Sequence, residues 1–238
     1  MKLIGLDSSG LVASAAIVED GLLLAEYTTD YKKTHSQTLL PMLEEIKRMT
    51  ELDLETVDAI AVASGPGSFT GLRIGSATAK GLGLALEKPI VEVPTLQGLA
   101  FNLWGSDRII CPMMDARRDQ VYTALYEFKS DGCGFVMETL TDQCAVDVTE
   151  IIDQINRLDR AVIFLGDGVP VYRRLIEENV QVAYSYAPPG QNRQRAANIA
   201  ALGCLFLEQG KCVDAALHKP EYLRKGQAGA EQKSFAQI

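Results

Sequence analysis

Asp7-Ser8-Ser9-Gly10 sets a carboxylate and two hydroxyls at the end of a short apolar run. An α/β sheet presents its ligand crevice at such strand ends, where these groups could orient a magnesium ion or a phosphate. The same residues also suit an Asx turn, with Asp7 bonding the backbone ahead of it, and the spacing favours the turn. Gly166-Asp167-Gly168 lies between a strand-like run and a helical one, the context of a dinucleotide fingerprint. Val171 stands where the third glycine belongs, so an ordinary strand–helix turn competes with a loop that admits an adenosine or phosphate. Asp115-Ala116-Arg117-Arg118-Asp119 gathers two carboxylates and two guanidinium groups that could hold an anion or pair among themselves. His35 is followed four residues on by Leu39, not by a second imidazole, and reads as a helix N-terminal residue with a local hydrogen bond.

The run from Ser64 to Gly75, SGPGSFTGLRIG, is the most specific stretch of the chain. Gly65-Pro66-Gly67 predicts a tight turn, because proline fixes one φ angle while the glycines permit positive φ on either side. Ser68 or Thr70 can cap the helix that follows. Gly71, Gly75, Ala79 and Gly83 then recur every four residues and share one helix face. Each glycine costs a helix about 0.8–1.0 kcal/mol relative to alanine, so the face needs a compensating close approach. A P-loop is excluded, since no Gly-Lys-Ser or Gly-Lys-Thr occurs. Neither a Gly-x-Ser-x-Gly elbow nor a His-Glu-x-x-His zinc helix is present.

These groups must be held by an alternating α/β framework. Apolar runs at 3–6, 12–18 and 22–27, the last two joined by Glu19-Asp20-Gly21, predict three leading strands. Leu39, Met42, Leu43, Ile46 and Met49 recur at helical spacing, with Pro41 tolerated only near a first turn or at a kink. A strand at 57–63, the glycine-rich helix to Leu86 and a strand at 90–93 complete the first half. The order then repeats with strands at 109–114, 120–128 and 135–140, a helix at 149–157, and a strand at 161–165. A helix to Glu178 and a last helix at 196–208 follow. The expectation is an α/β chain of two similar units, 1–104 and 105–238, divided near 102–108, the last segment being placed to pack back on the first unit.

The chain of 238 residues has a formal charge of −8, which argues against autonomous binding to a nucleic-acid backbone. The late basic residues Lys219, Arg224, Lys225 and Lys233 are the cluster worth watching. Met1-Lys2 leads into a strand with no signal-peptide core, and the glycine-rich helix carries Arg73 and Lys80, unlike a membrane span. The five cysteines contain no Cys-x-x-Cys pair, and His35 and His218 are the only histidines. Free thiols in a cytoplasmic protein, without zinc, are the expectation.

Ile4 to Ser9, Thr34-His35-Ser36-Gln37, Leu39-Leu40-Pro41, Ser64 to Gly75, Met114 to Arg117, Leu165 to Gly168 and Pro220 to Arg224 together resemble the TsaB (YeaZ) family. The resemblance spans both halves. It implies the duplicated ribonuclease H-like fold of actin and the sugar kinases. It further implies a role in bacterial synthesis of threonylcarbamoyladenosine beside the anticodon of tRNAs that read codons beginning with A. Members look like non-catalytic partners of the TsaD carbamoyltransferase, joined by the ATPase TsaE, while TsaC supplies threonylcarbamoyl-adenylate. TsaD relatives carry His-x-x-x-His after the strand that follows their Gly-Pro-Gly helix; the corresponding residues here are Thr95 and Leu99, and leucine cannot ligate a metal. No catalytic residue, metal or obligatory cofactor is therefore expected, with ATP or ADP confined to the complex, and tRNA reached only through it.

A nucleotide, if bound, would meet Asp7, Ser8, Ser9, Gly166, Asp167 and Gly168. A kinase or ATPase of the same superfamily would use those residues, whereas a metallopeptidase lacks its ligands. The partner surface, shared by TsaD and a homodimer, is expected on two helices. It comprises His35, Leu39, Leu40, Met42, Leu43 and Ile46 on the first, and Phe69, Gly71, Leu72, Gly75 and Ala79 on the second.

Overall fold

The computed structural model describes residues 1–31 and 34–223. Arg224, Lys225 and Lys233 of the late basic cluster lie outside the described residues. The first unit comprises β1 (Lys2–Asp7), β2 (Ala13–Glu19), β3 (Leu22–Thr29), α1 (His35–Thr50), β4 (Ala59–Gly65), α2 (Phe69–Leu86), β5 (Ile90–Pro94) and α3 (Thr95–Ala100). The second comprises β6 (Ile109–Asp115), β7 (Gln120–Ser130), β8 (Phe135–Asp147), α4 (Val148–Leu158), β9 (Val162–Leu165), α5 (Gly168–Asn179), β10 (Tyr184–Tyr186) and α6 (Ala196–Glu208).

The two sheets have one topology. The first runs β3-β2-β1-β4-β5, and the second, taken in the same sense, runs β8-β7-β6-β9-β10. In each, the first strand pairs antiparallel with the second and parallel with the fourth, with Leu3 opposite Ala59 and Ile109 opposite Val162. Central strands covered on both faces become continuous apolar runs, which is why 3–6 and 109–114 carry so little alternation.

Helices α1 and α2 cover one face of the first sheet, and Leu39, Leu43 and Ile46 meet Ile4, Leu6, Ile60 and Val62 there. The other face is covered by α6, whose Ile199 and Leu202 pack on Leu3, Ala61 and Val91. Conversely α3 packs on the second sheet, with Leu96 and Leu99 against Ile110, Met114 and Ala124. Helices α4 and α5 close the outer face of that sheet. Each unit thus sends its last helix to the other, and burying such a side chain contributes about 1.5–3 kcal/mol. The segment beyond α6 also returns. Val213 exchanges two backbone hydrogen bonds with Ile90, and the Glu221 N–H donates to the Ser64 carbonyl at 2.7 Å.

Several bounds differ from the sequence expectation. Strand β8 runs on to Asp147, because β7 offers a backbone partner as far as Gln120. Helix α1 starts at His35, as expected of a helix N-terminal residue, but keeps Pro41 beyond its first turn, where the side chain faces solvent. Of the two candidate caps for α2, Ser68 caps, its hydroxyl accepting the Gly71 N–H, while Thr70 lies within the helix. In the turn only Gly65 takes positive φ, at +131°; Gly67 is required by close approach, since a Cβ there would lie 2.3 Å from the Ser9 carbonyl oxygen.

Candidate functional site

The Asp7–Gly10 loop leaves the end of β1 directly beneath the first turn of α2. Ser8 Oγ donates to the Gly71 carbonyl at 2.9 Å, and the Ser68 N–H donates to the Ser9 carbonyl at 2.7 Å. The Ser9 N–H and hydroxyl both donate to Asp7 Oδ1, at 2.9 and 2.6 Å. This is the Asx turn, reinforced by a hydroxyl. Asp7, Ser8 and Ser9 are all buried.

Burial pushes the Asp7 carboxyl up to about 6, against the opposing pull of the Ser9 bonds and the nearby His35. A folded-state value above that of the unfolded chain means that the native state holds this proton more tightly. The stabilisation is complete below about pH 4 and is lost as the pH rises through about 6, on the order of 3 kcal/mol in all. Asp7→Asn keeps an oxygen for Ser9 and carries no charge. Its stability relative to wild type is therefore expected to rise by that order between pH 4 and 7. Urea unfolding across this range measures the difference, and a pH-independent difference would contradict the burial argument.

His35 opens α1, but its bond is tertiary where a local one was expected: Nε2 donates to the Gly10 carbonyl at 2.9 Å. A carbonyl only accepts, so Nε2 carries the proton. The Nδ1 atom is buried without a hydrogen-bond partner, as are both amide atoms of Gln194, whose side chain lies against Gly10. Nothing in the polar run before α6 marks Gln194 out; only its position in the fold does.

Gly166-Asp167-Gly168 joins β9 to α5 and packs against β6, a Cβ on Gly166 falling 2.1 Å from the Met113 carbonyl oxygen. Asp167 Oδ1 accepts the Asp115 N–H at 3.3 Å, and burial holds its carboxyl above the usual range. The segment 192–196 links this loop to the first unit. The Gly166 N–H donates to Asn192, Arg193 Nη1 donates to the Gly166 carbonyl, Gln194 touches Gly10, and the Ala196 N–H donates to Ser14 Oγ. The six candidate nucleotide-binding residues are thus drawn towards one region but engaged by the chain's own backbone. Arg193 and Arg195, the latter bonded through Nε to Glu26 at 2.9 Å, are fastenings that the sequence reading missed.

Thr95 and Leu99 both lie on α3. The Thr95 hydroxyl accepts the Gly65 N–H at 3.1 Å, and Leu99 lies beside Gly166. Both side chains are fully buried and serve packing.

The expected partner surface needs redrawing. Leu39, Met42, Leu43, Ile46, Gly71, Leu72, Gly75 and Ala79 are buried within the chain. A Cβ on Gly71 would lie 2.0 Å from the Ser8 carbonyl oxygen and one on Gly75 2.6 Å from Ser8 Oγ, so this small-residue face receives the chain's own β1 loop. His35 is half-buried against Gly10, leaving Leu40 and Phe69 exposed. The exposed face of α2 is the one carrying Phe69, Arg73, Ala77, Gly81 and Leu84, with open space around Gly81. Arg73 stacks over the Phe69 ring at 3.9 Å, and the Tyr222 ring packs against Phe69 at 4.9 Å between ring centres.

Among the described residues no helix is long and apolar enough to cross a membrane. The family model of TsaD, tRNA N6-adenosine threonylcarbamoyltransferase, matches residues 23–231. A protein of Bacillus subtilis named tRNA threonylcarbamoyladenosine biosynthesis protein TsaB is 32% identical over 231 residues, covering 97% of each chain. The crystal structure of YeaZ from Pseudomonas aeruginosa superposes with a TM-score of 0.76 at 25% identity, over 93% of this chain and 100% of that one. A polyphosphate/ATP-glucomannokinase from Arthrobacter shares the fold alone, with a TM-score of 0.50 at 11% identity over 87% of this chain and 99% of its own. The repeated sheet topology is accordingly the duplicated fold of the sugar kinases and actin. With the Gly-Pro-Gly turn, its capped helix and the matches along nearly the whole length, the chain belongs to the TsaB (YeaZ) family, within the wider family described by TsaD.

Proposed function

We propose that this protein serves the formation of threonylcarbamoyladenosine on tRNA as a non-catalytic partner of TsaD. The observation that carries the reading is the match, over 97% of both chains, to a relative named for that biosynthesis. Thr95 and Leu99 support the non-catalytic role: where TsaD relatives hold a pair of imidazoles, this chain has a hydroxyl bonded to Gly65 and a buried alkyl group. Neither can take over transfer chemistry that depends on bound metal.

TsaD docks on the exposed faces of α1 and α2, centred on Leu40, Phe69, Arg73, Ala77 and Gly81, and the same face pairs two copies when TsaD is absent. TsaE joins this pair, in the cytoplasm. The chain itself requires no cofactor, and ATP or ADP acts within the complex. The internal engagement of Asp7, Ser8, Ser9 and Asp167 favours this over an independent kinase or ATPase.

Reconstitution from purified components tests the reading. Omitting this chain is expected to lower tRNA modification by at least about tenfold, the effect of removing only about 1.4 kcal/mol of transition-state stabilisation. Modified tRNA formed by this chain from threonylcarbamoyl-adenylate without TsaD would refute the non-catalytic role.

A further inference from the structure

The turn between β6 and β7 has a backbone that its residues disfavour. Arg117, Arg118 and Asp119 take φ of 63°, 58° and 58° in succession, though none is glycine. The Gln120 N–H donates to the Arg117 carbonyl, which puts Arg118 and Asp119 at the centre of a hairpin turn where both φ angles are positive. Asn-Gly is the pair that suits this geometry, and arginine is a poor substitute.

Surrounding contacts hold the turn in place. Asp115 Oδ1 accepts the Arg117 N–H at 2.8 Å and the Tyr172 hydroxyl of α5 at 3.1 Å. The Val148 N–H of α4 donates to the Asp119 carbonyl at 3.4 Å. Arg117 is 84% exposed and reaches Asp115 Oδ2 only at 3.4 Å, while Arg118 has no ion-pair partner among the described residues. Strained backbone that the surrounding structure over-determines is found where function requires a side chain in that place. The side chains displayed are two guanidinium groups beside the exposed Asp119 carboxylate, on a chain of net charge −8. A guanidinium fork matches the paired oxygens of a phosphodiester.

We propose that Arg117 and Arg118 form a phosphodiester-binding turn that contacts the tRNA backbone when the tRNA is held in the complex with TsaD. This rests on the function proposed above and adds a site to it. The experiment uses the full chain and the double variant Arg117→Asn/Arg118→Gly, whose residues suit positive φ.

The variant is expected to melt at a higher temperature than wild type and to bind TsaD equally well. Its TsaD complex should bind unmodified tRNA about 5–20-fold more weakly. The dependence of log affinity on log salt should become shallower by about 1–2, as for one or two lost phosphate contacts. In the isolated wild-type chain, tRNA at ~0.05 M salt, where screening is weak, should shift the amide resonances of Arg117, Arg118 and Asp119. Unchanged tRNA affinity and salt slope in the variant complex overturn the proposal, as do shifts produced by ATP and not by tRNA. If the wild-type chain fails to bind TsaD, the proposed function falls, and the tRNA titration of the isolated chain still decides the role of the turn.

Discussion

Gly71→Val is expected to abolish cooperative folding, while Gly81→Ala in the same helix stabilises the protein. A Cβ at position 71 would lie 2.0 Å from the Ser8 carbonyl oxygen, a backbone atom fixed by the Asp7 turn on one side and β1 on the other. Neither partner can retreat without separating α2 from the sheet. The loss should reach at least about 4 kcal/mol, the range of severe core disruption. Gly81 has nothing within 4 Å of a built Cβ, so alanine there adds only helix propensity, about 0.8–1.0 kcal/mol. Urea unfolding followed by circular dichroism compares the two. A Gly71→Val protein within 1 kcal/mol or so of wild type would show that α2 is not locked onto the β1 loop in this way.

The second large effect concerns partner binding. Leu40→Glu and Ala77→Glu place charges on the exposed faces of α1 and α2, where solvent accommodates them in the free chain. In a docked complex those carboxylates would lose water without gaining a partner. TsaD affinity should fall at least about 30-fold, or about 2 kcal/mol, as for truncation of a hot spot. Val171→Glu, at an exposed position on α5 in the second unit, serves as the control and should leave affinity unchanged. Met42→Glu cannot serve as an interface probe, because Met42 is buried on the first sheet and its loss of binding would report unfolding. Calorimetric titration of TsaD with each folded variant gives the answer. Unchanged affinity in both Leu40→Glu and Ala77→Glu would move the docking surface elsewhere.

These variants follow from a difference between periodicity and packing. The four-residue spacing of Gly71, Gly75 and Ala79 identifies a face, and a second face of small residues, Ala77 and Gly81, lies on the same helix. Spacing does not say which of them meets the chain and which meets solvent. The β1 loop decides it, because Ser8 occupies the space over Gly71 and Gly75. In the same way His35 reads as a local helix-end residue until the fold brings Gly10, 25 positions away, within 2.9 Å.

Local physics was sufficient for a large part of this protein. Fully apolar runs that a two-sided sheet must bury, a helical repeat of leucine and methionine, a serine cap and a proline–glycine turn are each written within a few residues. Their order, repeated once, already implied two similar units. Long-range contacts settled the rest. The exchange of α3 and α6 between the sheets, the pairing of Val213 with Ile90, and the extension of β8 to Asp147 depend on partners distant in sequence. So does the candidate site: Asp7 and Gly166 each resemble a ligand loop in isolation, and only the fold sets the first against α2 and the second against β6 and the segment 192–196. Propensity and patterning act over one or two turns of chain, whereas close approach, burial and the pairing of polar groups are properties of segments that meet only once the chain has folded.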